Sequence, residues 1–175
     1  MGVQILLGVY INIFPTILNQ SEDQKWMRLA LEEAMLAYKK DEIPIGAVIV
    51  HQGKVIGKGH NQTESLKDAT AHAEILAIGS ASDFLKSWRL ENCSIYVTVE
   101  PCIMCAGAIV LSRIKRLVFG AYDMKNGACG SLYDIVSDKR LNHQAELTSG
   151  VLERECVEIV QNFFKKLRGK DGQSK

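Results

Sequence analysis

Two short motifs, His72-Ala73-Glu74 and Pro101-Cys102-Ile103-Met104-Cys105, constrain the fold of this chain more than any other feature of its sequence. Zinc binds neutral imidazole nitrogen and thiolate sulfur, at about 2.0 and 2.3 Å, and prefers four ligands in a tetrahedron. His72, Cys102 and Cys105 supply three such ligands, although 30 residues separate His72 from Cys102. The motifs therefore predict a metal site built from two distant segments.

A fourth protein ligand would make such a site structural, because a catalytic zinc keeps one position for water. Cys93 precedes the strand-like run Ser94–Val99, which at about 3.3 Å per residue places it roughly 20 Å from the Cys102 turn. We expect Cys93 to be a core thiol. Cys156 falls within an amphipathic helical pattern, whereas Cys129 lies among small residues and remains open as a fourth ligand.

The cysteine motif has the features of a helix start. Proline fits the first turn of a helix because its missing N–H would have no partner there. Pro101 therefore predicts a helix in which Cys102 and Cys105 are i and i+3, on one face. The positive end of the helix dipole lowers the pKa of thiols and favours the thiolates that ligate metal.

The histidine motif also predicts a helix start. Asp68 or Thr70 can cap a helix that runs through 71–78, which places His72 and Glu74 in its first turn. Glu74 can then face a water that the metal activates without being a ligand itself.

Each motif alone has an ordinary explanation. A lone histidine before an apolar helix is usually a core or surface residue, and a lone C-x-x-C is more often redox-active or without function. Together, H-x-E followed by P-C-x-x-C is the signature of zinc-dependent deaminases, whose glutamate is a general acid and base. The combination favours a catalytic zinc with Glu74 as the proton shuttle, over a structural carboxylate.

Composition is typical of one globular domain. The chain has 175 residues, 47% of them hydrophobic, and a net charge of +1, so a nucleic-acid partner would need a local basic patch. Five cysteines, two of them in the metal-like pair, leave no disulfide framework and favour a reducing compartment. We expect a single domain over 21–170 and a polar tail over 171–175.

Residues 1–20 form an apolar extension of uncertain role. No basic residues precede the apolar run as in a secretory signal, and Leu6 stands where a myristoylation signal needs Ser or Thr. We expect a segment that packs on the domain, or one that lies upstream of the start site used in the cell. A membrane role is the alternative.

Hydrophobic periodicity predicts alternating helices and strands, and hence a layered α/β domain. Ser21-Glu22-Asp23-Gln24 predicts a capping box at the start of the first helix, which Pro44 ends. The further predicted elements are a hairpin (45–50 and 54–58), the His72 helix, a strand (94–99), the cysteine helix ending near Ser112, a strand (115–119), a short helix near Leu132, a strand (145–147) and a last helix (151–168).

Several longer motifs resemble those of the bacterial tRNA-specific adenosine deaminases. The resemblance extends from Trp26 to Arg168 and is carried by Glu42-Ile43-Pro44-Ile45-Gly46-Ala47-Val48, His60-Asn61, residues 68–75, residues 100–108, Phe119-Gly120-Ala121-Tyr122-Asp123, residues 127–132, Asn142-His143 and Phe163-Phe164 with the basic residues after them. It implies a three-layer α/β/α cytidine deaminase-like fold with a mixed five-stranded sheet. It also implies a cytoplasmic homodimer, with one Zn²⁺ per subunit, that converts adenosine to inosine at wobble position 34 of tRNA anticodons.

The same resemblance assigns substrate contacts. Asn61 should hydrogen-bond the flipped base, Asp123 should contact sugar hydroxyls of the anticodon stem-loop, and Ala73, Phe164 and Arg168 complete the substrate-binding set. The alternatives are ordinary ones: Asn61 as a turn residue, Asp123 as a turn cap, and Phe163 or Phe164 as core. We expect one of these two phenylalanines to be buried.

The basic residues Lys165, Lys166, Arg168 and Lys170 could face phosphates or could simply be solvated. Ala69 stands where many family members have proline, a change that removes no metal ligand.

Three other functions remain open on the sequence. The zinc signature does not choose among bases, so a deaminase of free guanine or cytosine is the main alternative. A non-catalytic tRNA-binding subunit would usually lack the shuttling glutamate, which is present here as Glu74. A structural zinc module would need a fourth ligand.

Overall fold

The computed structural model describes residues 21–171, with side chains as far as residue 169, and begins with helix α1, Glu22–Lys39. The capping box predicted at its start is present. The Ser21 hydroxyl accepts from the Gln24 backbone N–H at 3.2 Å, and the Gln24 side chain accepts from the Ser21 N–H at 3.3 Å. Two orphan N–H groups of the first turn are thereby satisfied.

The remaining elements alternate along the chain. They are β1 (Gly46–His51), β2 (Lys54–His60), α2 (Thr63–Leu66), α3 (Ala73–Leu85), β3 (Cys93–Val99), α4 (Ile103–Leu111), β4 (Arg116–Ala121), β5 (Glu146–Thr148) and α5 (Glu153–Asp171). The sheet has the order β2-β1-β3-β4-β5; β1 is antiparallel to both of its neighbours, whereas β3, β4 and β5 are parallel. The predicted mixed five-stranded sheet is confirmed.

Helices cover both faces of this sheet, because its central strands are apolar on both sides. On β1, Ala47 and Ile49 join the core under α3 and α4, whereas Val48 and Val50 join the core under α1 and α5. The layers are therefore helix, sheet and helix, as predicted.

Helix α3 lies unusually close to strand β2. A Cβ atom added at Gly59 would lie 2.2 Å from the carbonyl oxygen of Ala73, and one at Gly57 would lie 2.5 Å from that of Ala77. The facing residues of α3, Ala73, Ala77 and Ala81, are small and buried. Glycine on the strand and alanine on the helix thus allow direct backbone contact.

Asp23 connects α1 to the sheet. Its carboxylate accepts from both terminal nitrogens of Arg116, at 2.7 and 2.8 Å, and from the Tyr96 hydroxyl at 3.0 Å. Arg116 also donates to Thr148 on β5. The hydrogen bond from Arg116 holds the pKa of Asp23 below its usual value, so the pair is ionised at neutral pH.

The prediction of a short helix near Leu132 is wrong. Residues 123–144 form turns and two isolated bridges, Cys102 with Gly127 and Cys129 with Asp134. The backbone N–H groups of Cys129 and Ser131 donate to the Glu100 side chain rather than to a preceding carbonyl, which is why no helix forms there. Conversely, helix α2 is present in the structure although the sequence pattern did not predict it.

The predicted extension over 1–20 lies outside the described residues, as do residues 172–175 of the predicted tail. Within residues 21–171, no helix is both long enough and apolar enough to cross a membrane.

We predict that Gly59→Ala destabilises the protein by about 1–3 kcal/mol, because the added methyl group overpacks the contact with α3. Gly79→Ala on α3 is the matched control. A Cβ atom there meets nothing within 4 Å, so its gain in helix propensity should stabilise the protein by up to about 1 kcal/mol. Urea unfolding measures both; equal effects of the two substitutions would contradict the close packing.

Candidate active site

The candidate site lies at one edge of the sheet. Strands β2 and β3 are both antiparallel to β1 and therefore run in the same direction, and β4 is parallel to β3. The segments that follow these three strands begin at Asn61, Glu100 and Tyr122, and so leave the sheet at the same edge. In α/β sheets, ligands bind outside the carboxyl ends of strands.

The three predicted metal ligands meet where α3 and α4 begin. His72 is the N-cap of α3, Cys102 is the N-cap of α4, and Cys105 lies in the first turn of α4. The His72 Nδ1 atom is 3.6 Å from the Sγ atom of each cysteine. All three donor atoms lie within 4.8 Å of one another, so the cluster could hold a metal ion.

The geometry of this cluster fits a tetrahedral ion. Bonds of about 2.0 Å to nitrogen and 2.3 Å to sulfur, at tetrahedral angles, separate the two ligand atoms by about 3.5 Å. The separations of 3.6 Å match that value without a change of rotamer. Imidazole nitrogen and thiolate sulfur are also the donors that zinc prefers.

Both helix starts differ in detail from the predictions. Asp68 does not cap α3; its carboxylate accepts from the N–H and hydroxyl groups of Thr70 within the preceding loop, at 2.8 and 2.7 Å. Pro101 lies before the N-cap of α4 rather than in its first turn. Neither N-cap, His72 or Cys102, makes a side-chain capping bond, which leaves both side chains available to a metal.

Hydrogen bonds within the cluster polarise its ligands. A bond from the Cys105 thiol lowers the pKa of Cys102 to about 4, and the same bond raises the pKa of Cys105. The hydrogen bond with Cys102 also raises the pKa of His72. A bound metal ion would take the place of these shared protons, because His72, Cys102 and Cys105 must be deprotonated to hold it.

Glu74 is buried beside the cluster in the first turn of α3 and is not a member of it. Burial raises the pKa of its carboxyl to about 7. A carboxyl group with such a pKa can both accept and release a proton at neutral pH. This placement is the one required of a proton shuttle.

The other cysteines are not members of the metal-ligand group. Cys93 is fully buried, as predicted for a core thiol, and its Sγ atom is 3.6 Å from His51 Nδ1. Cys156 lies on α5 and is buried against the sheet. Cys129 is buried with its Sγ atom 3.9 Å from the Pro101 carbonyl oxygen, and it is not part of the one metal-ligand group found among residues 21–171.

Glu100 holds the loop that flanks the cysteine helix. Its buried carboxylate accepts from the backbone N–H groups of Asp123, Cys129 and Ser131, at 2.9–3.0 Å, and from the Ser131 hydroxyl. Because Glu100 is two residues before Cys102, it fixes this loop beside the metal ligands.

Asn61 and Ala73 lie on two segments that meet next to His72. Asn61 is buried at the end of β2, and its amide bonds the Glu42 carboxylate at 3.4 Å and the Thr63 hydroxyl at 2.8 Å. Ala73 is the buried first residue of α3. The Gln62 N–H donates to the Ala71 carbonyl, which joins the two segments.

Asp123 is partly exposed and caps a turn. Its carboxylate accepts from the backbone N–H groups of Lys125 and Asn126, at 2.9 and 3.1 Å, and from the Asn126 side chain. These are the bonds expected of the alternative, a turn-capping aspartate. A contact with the substrate would have to use the remaining acceptor positions of the carboxylate.

Of the two neighbouring phenylalanines of α5, one is buried and one is exposed, as predicted. Phe163 is 2% exposed and packs edge-on against Tyr38, whereas Phe164 is 40% exposed. Lys166 pairs with Asp41 at 2.7 Å, and Arg168 is exposed. Phe164 and Arg168 therefore present an aromatic ring and a cation to solvent.

Two glutamates near the site were missed as functional residues. Glu42 and Glu100 occur in the motifs quoted above, yet their bonds to distant loops could not be read from local patterns. Glu100 directly follows the largely apolar strand 94–99, and a charged residue in that place is a signal that could have indicated a buried anchor. Glu42 follows Lys39, Lys40 and Asp41, so the sequence around it carries no such signal.

Comparison with known proteins agrees with this geometry. Residues 21–168 match the MafB19-like deaminase family. The chain belongs to this family. The tRNA-specific adenosine deaminase of Bacillus subtilis (strain 168) is 49% identical to this deaminase over 150 residues, which cover 86% of the chain and 93% of the relative.

Solved structures agree with the family. One, from a study of A-to-I editing by tRNA:A34 deaminases at the wobble position of transfer RNA, is 47% identical with a TM-score of 0.75, and the match covers 77% of this deaminase and 98% of that chain. A guanine deaminase from Nitrosomonas europaea is 22% identical with a TM-score of 0.73, covering 82% and 85%. At that identity, the second likeness shows the fold alone.

We predict that Cys102→Ser and Cys105→Ser abolish metal binding, whereas Cys93→Ser and Cys129→Ser retain it. The first pair removes thiolates of the cluster, and the second pair removes buried thiols outside it. Metal content after dialysis against Zn²⁺ and then buffer provides the measurement. Loss of metal in Cys129→Ser would instead indicate a fourth protein ligand.

Proposed function

We propose that this deaminase is a cytoplasmic, homodimeric enzyme that converts adenosine to inosine at wobble position 34 of tRNA anticodons, with one Zn²⁺ per subunit. The observation that carries the proposal is the cluster of His72, Cys102 and Cys105 beside the buried Glu74. Similarity of 45–50% to proteins named tRNA-specific adenosine deaminase supports the choice of substrate.

The reaction follows from the position of Glu74. When bound, zinc supplies a Lewis acid that lowers the pKa of water. Glu74 accepts a proton as the water attacks the purine carbon that bears the exocyclic amine. It delivers this proton to the ring nitrogen, then takes the second proton from the hydroxyl group that the attack leaves on the carbon and delivers it to the leaving amine, so that ammonia departs and inosine remains. A carboxyl with a pKa of about 7 is suited to both transfers.

The substrate contacts proposed here surround that centre. Asn61, at the end of β2, would hydrogen-bond the flipped base, and Ala73 would line the pocket floor. Asp123 would contact the sugar. The exposed ring of Phe164 could stack on a splayed base, and the exposed Arg168 could bind phosphate. Because the net charge is only +1, such local cations must supply the attraction for RNA.

Helix α4 supports the proposed homodimer. Its inner residues Ala106, Ile109 and Val110 are buried in the core, whereas Ile103 and Leu111 are 54% and 69% exposed. A second subunit packed on this helix would cover both side chains. That subunit would lie next to Cys102 and Cys105, the two metal ligands at the start of the same helix.

We predict that Glu74→Ala and the isosteric Glu74→Gln keep bound zinc but lose turnover by about 10²–10⁴-fold, the usual contribution of a general acid–base group. Glu74 is not a ligand, so metal content should equal that of the wild type. Inosine formation and metal analysis on the same preparation check both points. Turnover at the wild-type rate would exclude Glu74 as the shuttle.

The substrate is tested directly with the zinc-loaded protein. An anticodon stem-loop with adenosine at position 34 should yield inosine, while free guanine and free cytosine should release no ammonia. A matched stem-loop with guanosine at position 34 and adenosine elsewhere in the loop should be inert. Ammonia from a free base together with an inert stem-loop would replace this proposal by the free-base deaminase.

A further inference from the structure

Glu42 is a buried carboxylate that neither the metal cluster nor the proton shuttle uses. It lies between α1 and β1 and is 1% exposed. Its oxygens accept from the Ser65 N–H and hydroxyl groups at 2.6 Å, from the Glu64 N–H at 3.1 Å and from the Asn61 side-chain amide at 3.4 Å. An ionised carboxylate offers about four acceptor positions, and here four donors meet it.

These bonds make Glu42 the cap of helix α2. The N-cap residue of α2, Gln62, makes no side-chain capping bond. The N–H groups of Glu64 and Ser65, the second and third residues of α2, are the donors that an N-cap side chain normally satisfies. Burial opposes ionisation of Glu42, but the bonds from Ser65 hold its pKa below the usual value. A charged group that is distant in sequence thus replaces the local cap.

The same carboxylate fixes the amide of Asn61. An amide can present either its NH₂ group or its oxygen to a neighbour, but an ionised carboxylate can only accept. Asn61 must therefore direct its Nδ2 atom to Glu42. Its Oδ1 atom then accepts from the Thr63 hydroxyl on α2, at 2.8 Å. The amide then has one further N–H donor on Nδ2 and one further acceptor lone pair on Oδ1 to offer a ligand. The positions of this donor and this acceptor are fixed relative to each other.

We propose that Glu42 is a positioning residue for substrate recognition, which sets the orientation of the Asn61 amide and holds α2 against it. The inference rests on the proposed function, in which Asn61 contacts the base. The edge of a purine presents hydrogen-bond donors and acceptors in a fixed order. An Asn61 amide in the inverted orientation would therefore place its N–H donor opposite a donor of the base. Glu42 therefore decides which base edge the site accepts without touching the base.

A double-mutant cycle tests this inference. Glu42→Gln should lower kcat/KM for the adenosine-34 stem-loop at least tenfold, because a glutamine amide brings a donor toward four donors. On the Asn61→Ala background the same change should cost less than twofold, since its partner is gone. Equal losses on the two backgrounds would reduce Glu42 to a structural residue and overturn the inference.

Thr63→Val provides a milder variant in case Glu42→Gln folds poorly. It removes only the hydroxyl that donates to Asn61, and its loss of kcat/KM should also disappear on the Asn61→Ala background. Asp23→Asn is the control for general destabilisation, because it breaks charged bonds at the opposite end of α1. It should change kcat/KM less than twofold; a larger loss would attribute the Glu42 effect to stability.

Hydrogen exchange separates failure of this inference from failure of the proposed function. In Glu42→Gln the amides of Glu64 and Ser65 should exchange at least tenfold faster than in the wild type, whereas those of α1 should not change. Unchanged exchange would contradict the capping role regardless of activity. If exchange changes but the wild type forms no inosine, the proposed substrate is wrong and Glu42 is an anchor of α2 only.

Discussion

Two helix N-termini, those of α3 and α4, meet at His72 and Cys102, and the candidate active site depends on that meeting. Neither N-cap side chain bonds its own helix, so both side chains remain available to a cation. The positive helix ends would repel that cation, but they stabilise the thiolate charge that binds it. The sheet makes the meeting possible, because β2 and β3 flank β1 in the same direction and release both helices at one edge.

Two buried carboxylates hold the irregular segments that flank the site. Glu42 gathers the N–H groups around α2, and Glu100 gathers those of the loop from Asp123 to Ser131. Burying a charge is unfavourable unless hydrogen bonds compensate it, and backbone amides provide that compensation here. Irregular loops thereby gain fixed positions without a helix or strand of their own.

Local chemistry explains what could be predicted from the sequence. The capping box at Ser21, the hairpin and the approach of Cys102 to His72 follow from side-chain patterns within a few residues or from the ligand preferences of a metal. The failures share a different cause. The helix expected near Leu132 is absent because Glu100 takes its backbone donors, and α2 was missed because its cap is the distant Glu42. Such bonds join residues 22–31 positions apart, which no local pattern encodes.

The contact of Gly59 with Ala73 has a consequence for how such a site can diversify. Because β2 and α3 touch through their backbones, they form one rigid unit, with Asn61 at the end of the strand and Glu74 in the first turn of the helix. The segment between them, residues 62–71, does not set their spacing. Insertions or replacements in that segment can therefore change the surface beside Asn61, the proposed base contact, while the distance from Asn61 to Glu74, the proposed proton shuttle, stays constant. Specificity and chemistry can evolve separately in this architecture.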